Sequence, residues 1–435
     1  MSRATFFRQS GWMMIASVAG GAFMWAVHPV MVQEVDRVPL GSITDFLKRF
    51  IQEPVSVPQY SLFATLLNLI MWMSIPSNGL QTVFAQQTAA AIDEDHERKL
   101  RGTVRSVFSA TTLIWVLIAV VCFVFKERIV RDLKVSNPGA LWLTLMVGLP
   151  ILWTPIFGGL LQGRQNFLWL GWISIMAGLG RCVGAFIIVR MFGGGVTGAM
   201  AAVLLASAAP IIFCLWQTRA DWHGPFEVIQ WGPWLRRLVP LTIGLGTTTV
   251  MMTADMVMVR SLFPETESGF YAAAATLGRA LVLFTVPLAA VMFPKIVRSA
   301  ALAERTDVLG QALGATALMG AGAALFLTIF PKVPLQIACA PSFLVIAPLV
   351  RWFGWCMLPL TLANVLVNNL LARERFRIVP WLVLLTIGYV VTFWIVANRS
   401  AGREFLGAFR NVVQVLGCFS SLLLAVAIYF TWRKQ

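Results

Sequence analysis

Long apolar segments alternate with short polar ones along the whole of this 435-residue chain. A helix that spans a membrane needs about 20 largely apolar residues, because each residue adds only about 1.5 Å along the helix axis. Counted on that rule, the pattern predicts twelve spanning helices. They are expected at residues 11–32, 60–84, 106–125, 139–161, 167–189, 195–216, 238–260, 269–293, 309–331, 342–371, 378–397 and 406–430. The chain is therefore predicted to be an all-α integral membrane protein.

The composition agrees with this prediction and limits the partners. Hydrophobic residues make up 58% of the chain and charged residues 12%, whereas soluble domains average about 25% charged residues. The net charge of +15 comes from basic clusters between apolar segments. Retention of Lys and Arg in cytoplasmic loops explains such clusters better than nucleic-acid binding does, so no nucleic-acid partner is expected. The six cysteines include no CxxC pair, so no metal site is expected.

The basic residues that flank the predicted spans indicate an orientation. With the N-terminus inside, eighteen of them lie on the inner face and thirteen on the outer face. Because Lys and Arg accumulate on the cytoplasmic side, both termini are predicted to be cytoplasmic. The basic cluster at Lys126–Lys134 falls on the outer side and counts against this orientation.

Two polar connections carry a helical pattern of their own. In the first outer loop, apolar side chains fall on one face of a short helix at about residues 42–53, with Ser42 as its N-cap and Pro54 as its stop. This helix is expected either to lie on the outer membrane surface or to pack over the loop ends. The second connection, Ile92–Arg105, is strongly charged and is predicted to be a solvated cytoplasmic helix.

The two halves of the chain share an ordered set of matches. One set keeps a constant separation and pairs Tyr60, Ala64-Thr65-Leu66 and Pro76 with Tyr271, Ala275-Thr276-Leu277 and Pro287. A second set pairs Arg164, Phe167, Arg190 and Gly198-Ala199 with Arg373, Phe376, Arg399 and Gly407-Ala408. The segments HPVMVQ and DMVMVR set His28 opposite Asp255. These matches predict two six-helix lobes, residues 1–216 and 236–435, joined by a cytoplasmic linker at 217–235. An even number of spans in each half implies a pseudo-two-fold axis along the membrane normal.

Four ionisable residues fall well inside predicted spans: Arg181, Asp255, Arg279 and Arg351. A charge at the centre of a bilayer costs about 2.5–3.5 kcal/mol on insertion scales, so a partner, a cavity or a function must compensate it. One interpretation is a cationic central cavity that binds an anionic group through the three arginines. Asp255 or His28 would then bind a proton or ion. The alternative is a buried Asp255–Arg279 pair that only fixes adjacent helices.

Other local patterns bear on mechanism. Pro76 and Pro287 lie inside predicted spans, where a proline removes a backbone hydrogen bond and kinks the helix. Such kinks suit alternating access, but packing explains them equally well. Gly193–Gly198 fits G-x-G-x-x-G, yet it follows a membrane helix rather than a strand and is predicted to be a tight turn. The sequence has no catalytic motif and its polar segments are short, so the protein is not expected to be an enzyme.

A family resemblance rests on several short segments. Those of the second half are Asp255 within a span, Gly269-Phe270-Tyr271, Ala275-Thr276-Leu277-Gly278-Arg279 and Phe293-Pro294-Lys295. Those of the first half are Phe84-Ala85, Leu160-Leu161-Gln162-Gly163 before Arg164, and Gly194-Gly195 with Gly198-Ala199. From Tyr60 onward the chain resembles the polysaccharide biosynthesis flippases of the multidrug/oligosaccharidyl-lipid/polysaccharide exporter superfamily. The long 33–59 loop departs from that family's pattern.

This resemblance implies a transporter of the bacterial inner membrane that flips a lipid-linked oligosaccharide, a polyprenyl-pyrophosphate glycan, to the outer leaflet by rocking. The basic cavity residues would be Arg181, Arg279 and Arg351. No cofactor is expected beyond coupling to a proton or sodium gradient. Membrane lipids, a polysaccharide polymerase and glycosyltransferases are the expected partners. Two alternatives stay open: a cation-coupled exporter of the multidrug and toxin extrusion type, and a non-transporting scaffold for envelope assembly.

Overall fold

The computed structural model describes residues 3–33, 52–91, 93–135, 137–280, 308–373, 375–400, 402 and 404–432. All regular structure in these ranges is helical. Residues 42–51 of the predicted outer helix, the second half of the eighth predicted span and Pro287 lie outside the described residues.

The helices are numbered here in chain order. They are α1 (Arg3–Val32), α2 (Val57–Met73), α3 (Ile75–Ala90), α4 (Glu94–Val124), α5 (Lys126–Asp132), α6 (Pro138–Gly163), α7 (Phe167–Ala185), α8 (Gly195–Gln217), α9 (Trp231–Leu262), α10 (265–280), α11 (Val308–Ile329), α12 (Lys332–Ala338), α13 (Ala347–Ala372), α14 (Val379–Ser400) and α15 (Phe405–Trp432). A π-helical turn, Phe186–Met191, extends α7, and short 3₁₀ turns occur at Arg219–Asp221, Pro341–Ile346 and Phe376–Ile378.

The apolar segments form long helices, as the pattern predicts. In the described ranges, ten helices are long and apolar enough to cross a membrane, and eleven are if one bent pair counts as a single span. That pair consists of α11, which corresponds to the ninth predicted span, and α12, which follows it. The two helices meet at 91°. Pro331 stands at the bend, at the start of α12. The eighth predicted span is described only as far as residue 280, within α10. An all-α membrane protein is thus confirmed, while the count of twelve spans stays a prediction.

The chain divides into two compact units, which are described separately. Unit 1 comprises Met1–Val55 and Leu69–Thr242, and unit 2 comprises Ser56–Asn68 and Ile243–Gln435. The first part of α2 therefore packs with the C-terminal helices. The predicted lobe boundaries at residues 216 and 236 stay a prediction.

Small residues set the helix packing of unit 1. A Cβ placed on Gly178 of α7 would lie 2.2 Å from the carbonyl oxygen of Gly20 in α1, so only glycine permits this approach of the two backbones. Close approach through small residues is how membrane helices gain packing energy when lipid removes most of the hydrophobic drive. A buried aromatic and aliphatic cluster around Phe84, Phe157 and Trp234 joins α3, α6 and α9.

One end of unit 1 is strongly polar. Arg164, at the end of α6, donates hydrogen bonds to Asp221 at 2.6 and 3.0 Å and to Glu97 of α4 at 3.3 Å. Burial alone would lower the pKa of Arg164, but the hydrogen bonds and charges of Asp221 and Glu97 outweigh it and raise the pKa above its ordinary value. Arg101 pairs with Glu97 at 3.0 Å. These pairs fasten the α8–α9 connection to the start of α4.

Unit 2 has an aromatic interior. Tyr271 of α10 is fully buried and packs edge to face against Phe353 of α13 and Phe409 of α15, with ring centroids 5.3 and 5.1 Å away. Tyr60, its mate in the proposed repeat, is equally buried and contacts Phe343 at 5.8 Å. Such edge-to-face pairs contribute about 0.5–1.5 kcal/mol each beyond the area they bury.

Candidate functional site

A charged network lies inside unit 2. Asp255, on α9, is fully buried, and Arg279, near the described end of α10, is 12% exposed. Arg279 Nη2 donates to Asp255 Oδ1 at 2.5 Å, and the hydroxyl of Tyr271 donates to Asp255 Oδ2 at 2.8 Å. Both carboxylate oxygens therefore have a donor, which is the condition under which a buried charge is tolerated.

The other donors of Arg279 are also engaged. Its Nε donates to the carbonyl oxygen of Met252 at 2.7 Å, and its Nη1 donates to Asn68 Oδ1 at 3.4 Å. The amide nitrogen of Asn68 donates in turn to the carbonyl oxygen of Ala64 at 2.7 Å. Three helices, α2, α9 and α10, thus meet at one guanidinium group.

The structure therefore brings together two of the predicted site residues, Asp255 and Arg279, as an ion pair. In this arrangement Arg279 has its partners inside unit 2. Binding of a phosphate by Arg279 would require the guanidinium to leave Asp255. The assignment of Arg279 to a substrate cavity stays a prediction, as does the coupling role of Asp255.

Arg181 has different surroundings, in unit 1. The most exposed residues of the middle of α7 include Trp172, Leu179 and Val183. At about 100° per residue, Arg181 lies on the opposite side of the helix from all three. Its Nε is buried and has no hydrogen-bond partner among the described residues. The structure thus places a partly buried cation on the packed side of α7, and no described carboxylate pairs with it as Asp255 pairs with Arg279.

The remaining predicted residues are scattered. Arg351, in unit 2, is exposed on α13, on the same face as Trp355. His28, in unit 1, is partly buried near the end of α1 and contacts other groups. Pro76 stands in the first turn of α3, directly after the break between α2 and α3 at Ser74. The cavity role of Arg351, the titrating role of His28 and the hinge role of Pro76 stay predictions.

Sequence reasoning missed several polar residues of these interiors. Arg190 and Arg260 are two of the thirteen basic residues that the predicted orientation places on the outer face, and they are only 4% and 1% exposed. Arg260 pairs with Glu265 at 3.4 Å, and Arg190 lies in the π-helical turn, with its Nη1 buried and without a partner among the described residues. Tyr389 of α14 is fully buried, and its hydroxyl likewise has no described partner. A π-helix often marks a functional segment, but its sequence carries no separate signal.

No metal centre accompanies these groups in the described part of the chain, where no three His, Cys, Asp or Glu side chains are placed to hold an ion.

The fold is shared with transporters of known structure. The chain overlays an inward-closed structure of the lipid II flippase MurJ with a TM-score of 0.71 and 13% identity, covering 96% of this chain and 87% of that one. An inward-facing multidrug resistance MATE family transporter of the MOP superfamily gives a TM-score of 0.67 and 14% identity over 99% of this chain and 94% of its own.

A third similar structure is also a MOP superfamily transporter. A MOP superfamily transporter from Pyrococcus furiosus, described as having a binding pocket of reverse polarity, gives a TM-score of 0.57 and 12% identity. It covers 98% of this chain and 94% of its own length. Identities this low support the shared transporter fold and nothing finer.

Sequence comparison identifies the family. No curated protein matches the chain significantly. The sequence profile of the family described as "Polysaccharide biosynthesis protein" matches residues 55–300, more than half of the chain. This range includes Arg181, Asp255 and Arg279. The chain is a multi-pass membrane protein with the fold of MOP-superfamily transporters, and it belongs to the polysaccharide biosynthesis protein family.

Proposed function

We propose that this protein flips a lipid-linked oligosaccharide, carried on a polyprenyl pyrophosphate, from the cytoplasmic to the outer leaflet during surface polysaccharide biosynthesis. In this proposal twelve helices form two six-helix lobes that rock about a pseudo-two-fold axis in a bacterial inner membrane, with both termini in the cytoplasm. The polymerase and glycosyltransferases of the same pathway are its expected partners.

The observation that carries the proposal is that Arg181, an arginine within a membrane span of a chain from this family, forms no ion pair with a described carboxylate. The substrate contains an anionic pyrophosphate, and moving it across hydrocarbon requires cationic groups within the protein. Guanidinium groups bind phosphate bidentately and keep their charge when partly buried. Arg181 lies on the side of α7 opposite the exposed residues and forms no ion pair with a described carboxylate. A scaffold whose membrane charges are all paired would not require such a residue.

The pair in unit 2 suggests how transport could be coupled to an ion gradient. Protonation of Asp255, or a cation at its carboxylate, would release Arg279 for phosphate or for a new helix contact. In this proposal the Asp255–Arg279 pair is a two-state element, and the ion gradient shifts its equilibrium.

Flipping is tested with purified protein in liposomes that contain a fluorescent polyprenyl-pyrophosphate sugar, in which an impermeant reductant bleaches only the outer leaflet. Wild-type protein should bring the fluorescent lipid of the inner leaflet to the outer leaflet, where the reductant bleaches it. Arg181→Gln and Arg351→Gln should each slow this at least tenfold, about 1.4 kcal/mol in the barrier. Arg236→Gln, an exposed arginine of α9, is the matched control. Normal flipping by both variants would exclude the arginine-based mechanism.

A cation-coupled drug exporter is the second candidate, and the buried carboxylate of Asp255 favours it. That function predicts efflux of cationic dyes such as ethidium from cells that express the protein, and loss of efflux in Asp255→Asn. Dye efflux without movement of the fluorescent lipid would select this candidate over the flippase.

A further inference from the structure

A polar cleft lies at the charged end of unit 1. Its volume is about 580 Å³, within the range of roughly 300–1,000 Å³ that is typical of small-molecule sites. Its walls come from α3, from the start of α4, from the α8–α9 connection and from the start of α9. The lining side chains used below are Gln86, Gln87, Lys99, Glu227, Trp234 and Arg237.

The wall formed by the α8–α9 connection is held in place by several contacts. Arg105 of α4 donates to the carbonyl oxygens of Trp222 at 2.8 Å and of Gly224 at 3.2 Å, and its guanidinium lies 4.7 Å from the ring centroid of Phe226. The backbone N–H of Glu227 donates to the carbonyl oxygen of Arg98 at 3.1 Å. The backbone of this wall is therefore held in place before a ligand binds, which lowers the cost of ordering it.

The charge of the cleft favours an anion. Lys99 and Arg237 contribute two cationic groups, and Glu227 contributes one carboxylate. Lys99 is exposed, so its ammonium group is accessible to a ligand. A phosphate group accepts from an ammonium in a charge-assisted hydrogen bond, the strong class of such bonds.

The other lining groups favour a sugar. Gln86 and Gln87 carry amides that both donate and accept, which matches hydroxyl groups that also do both. Ionised carboxylate side chains of an acidic peptide are acceptors only and cannot donate to the amide oxygens. Gln87 Oε1 and Trp234 Nε1 are buried and have no hydrogen-bond partner among the described residues. A hydroxyl-rich ligand that draws these side chains inward supplies a donor for the first and an acceptor for the second.

From these groups we infer that the cleft binds a phosphorylated saccharide, either as a free sugar phosphate or as the headgroup of a lipid-linked sugar. This inference rests on the proposed function only in the choice of the lipid-linked source. If that source is correct, the cleft is a docking site for the headgroup at the end of unit 1 that the sequence predicts to face the cytoplasm.

Binding is measured by calorimetry on the full-length protein in lipid nanodiscs. The probes are glucose 1-phosphate, glucose, inorganic pyrophosphate and a polyglutamate peptide. A polyprenyl-pyrophosphate disaccharide, incorporated in the disc, is tested by competition. Glucose 1-phosphate should bind at least tenfold more tightly than glucose or pyrophosphate alone, because only it uses both the cation and the amides.

Two variants and one control test the location. Lys99→Gln should weaken glucose 1-phosphate binding roughly tenfold by removing the charge-assisted bond, and Gln86→Ala should weaken it several-fold. Arg98→Gln is the matched control, because Arg98 is the exposed neighbour of Lys99, its side chain pairs with Glu94 at 3.3 Å, and it does not line the cleft. Unchanged binding in both Lys99→Gln and Gln86→Ala would overturn the inference, as would binding of polyglutamate alone.

The remaining measurements distinguish a free sugar phosphate from a lipid-linked headgroup, and they distinguish the cleft from the proposed flipping function. If the lipid-linked disaccharide in the disc displaces glucose 1-phosphate, the headgroup is a ligand, and if it does not, the ligand is a free sugar phosphate. If vesicle flipping fails while binding responds to Lys99→Gln, only the proposed function falls. If flipping is intact while no probe binds, only the cleft is rejected.

Discussion

The two units differ in where their charged side chains form ion pairs. In unit 2 the carboxylate and guanidinium of Asp255 and Arg279 meet in the interior, with Tyr271 and Asn68 completing their hydrogen bonds. In unit 1, Asp221 and Glu97 pair with Arg164 at the polar end, while Arg181 has no carboxylate partner among the described residues. Among the described residues, the interior charges of Asp255 and Arg279 are therefore paired with each other in unit 2, whereas Arg181 of unit 1 forms no ion pair.

The largest expected effect on stability is at the interior pair of unit 2. Arg279→Ala should lower the free energy of unfolding by about 3–5 kcal/mol, because it leaves Asp255 as an unpaired buried charge. Asp255→Asn should lower it by a similar amount through Arg279. The double variant Asp255→Asn/Arg279→Gln should lose much less than the sum, since no buried charge remains. Unfolding of the purified protein in detergent, followed by heat or SDS, measures all three.

Additive losses in that double-mutant cycle would contradict the pairing. Losses below about 1 kcal/mol for each single variant would mean that water reaches the pair. Tyr271→Phe is a useful companion, because it removes only the hydroxyl that donates to Asp255 and keeps the ring between Phe353 and Phe409. It should cost about 1–3 kcal/mol, the penalty for a buried acceptor with one hydrogen bond missing.

A smaller effect is expected at the polar end of unit 1. The side chain of Arg164 is 41% exposed, against 9% for Asp221, so water can replace part of the lost interaction. Arg164→Ala should therefore cost only about 1 kcal/mol, at the upper end of the range for exposed pairs. The loss should also shrink when salt is raised, because exposed pairs are screened. A salt-independent loss as large as that of Arg279→Ala would remove the contrast between the units.

Arg181 should combine the smallest stability change of the three arginines with a large functional one. Arg181→Met removes a cation that has no ion-pair partner and keeps most of the side-chain volume. The free energy of unfolding should therefore change by less than about 1 kcal/mol, or rise. Flipping of the fluorescent lipid should fall at least tenfold. A clear destabilisation would mean that Arg181 has a structural partner and that the two units are alike.

The contrast between the units also shows how far the sequence could be read. The spans were predictable because apolar length is a local property. The predicted third span at 106–125 ends one residue beyond α4, and the sixth at 195–216 lies within Gly195–Gln217. The bend at Pro331 has a local signal as well, since Pro331 and Pro334 occur close together. The predicted span at 309–331 accordingly ends at this bend and corresponds to α11.

The fate of each interior charge was not predictable in the same way. Charge and position in the span are alike for Arg181 and Arg279, and only tertiary packing places Asp255, Met252 and Asn68 around one of them. The sequence leaves two interpretations open, an ion pair and a cationic cavity. The pairing observed in unit 2 agrees with the ion pair, and it does so for Arg279 alone. Arg190 and Arg260 show the same limit, because nearness to a span end did not indicate that their side chains are buried.

The weakest expected effect concerns the first turn of α4, at the polar end of unit 1. Asp93 is the N-cap and accepts from the backbone N–H of His96 at 2.8 Å and from its ring. The backbone hydrogen bond, then the side-chain one, lower the pKa of Asp93 below its ordinary 3.8, with a smaller contribution from the charge of Lys99. A lowered folded-state pKa means that the cap stabilises the helix fully above pH 4 and loses this contribution as pH falls through the lowered pKa.

Hydrogen exchange of the peptide around residues 93–105 should thus show protection that falls in acid. Asp93→Asn should keep most of the cap while making this protection less dependent on pH. Asp95→Asn, in the same exposed turn, is the control, and an unchanged acid response in Asp93→Asn would show that another group governs this end of unit 1.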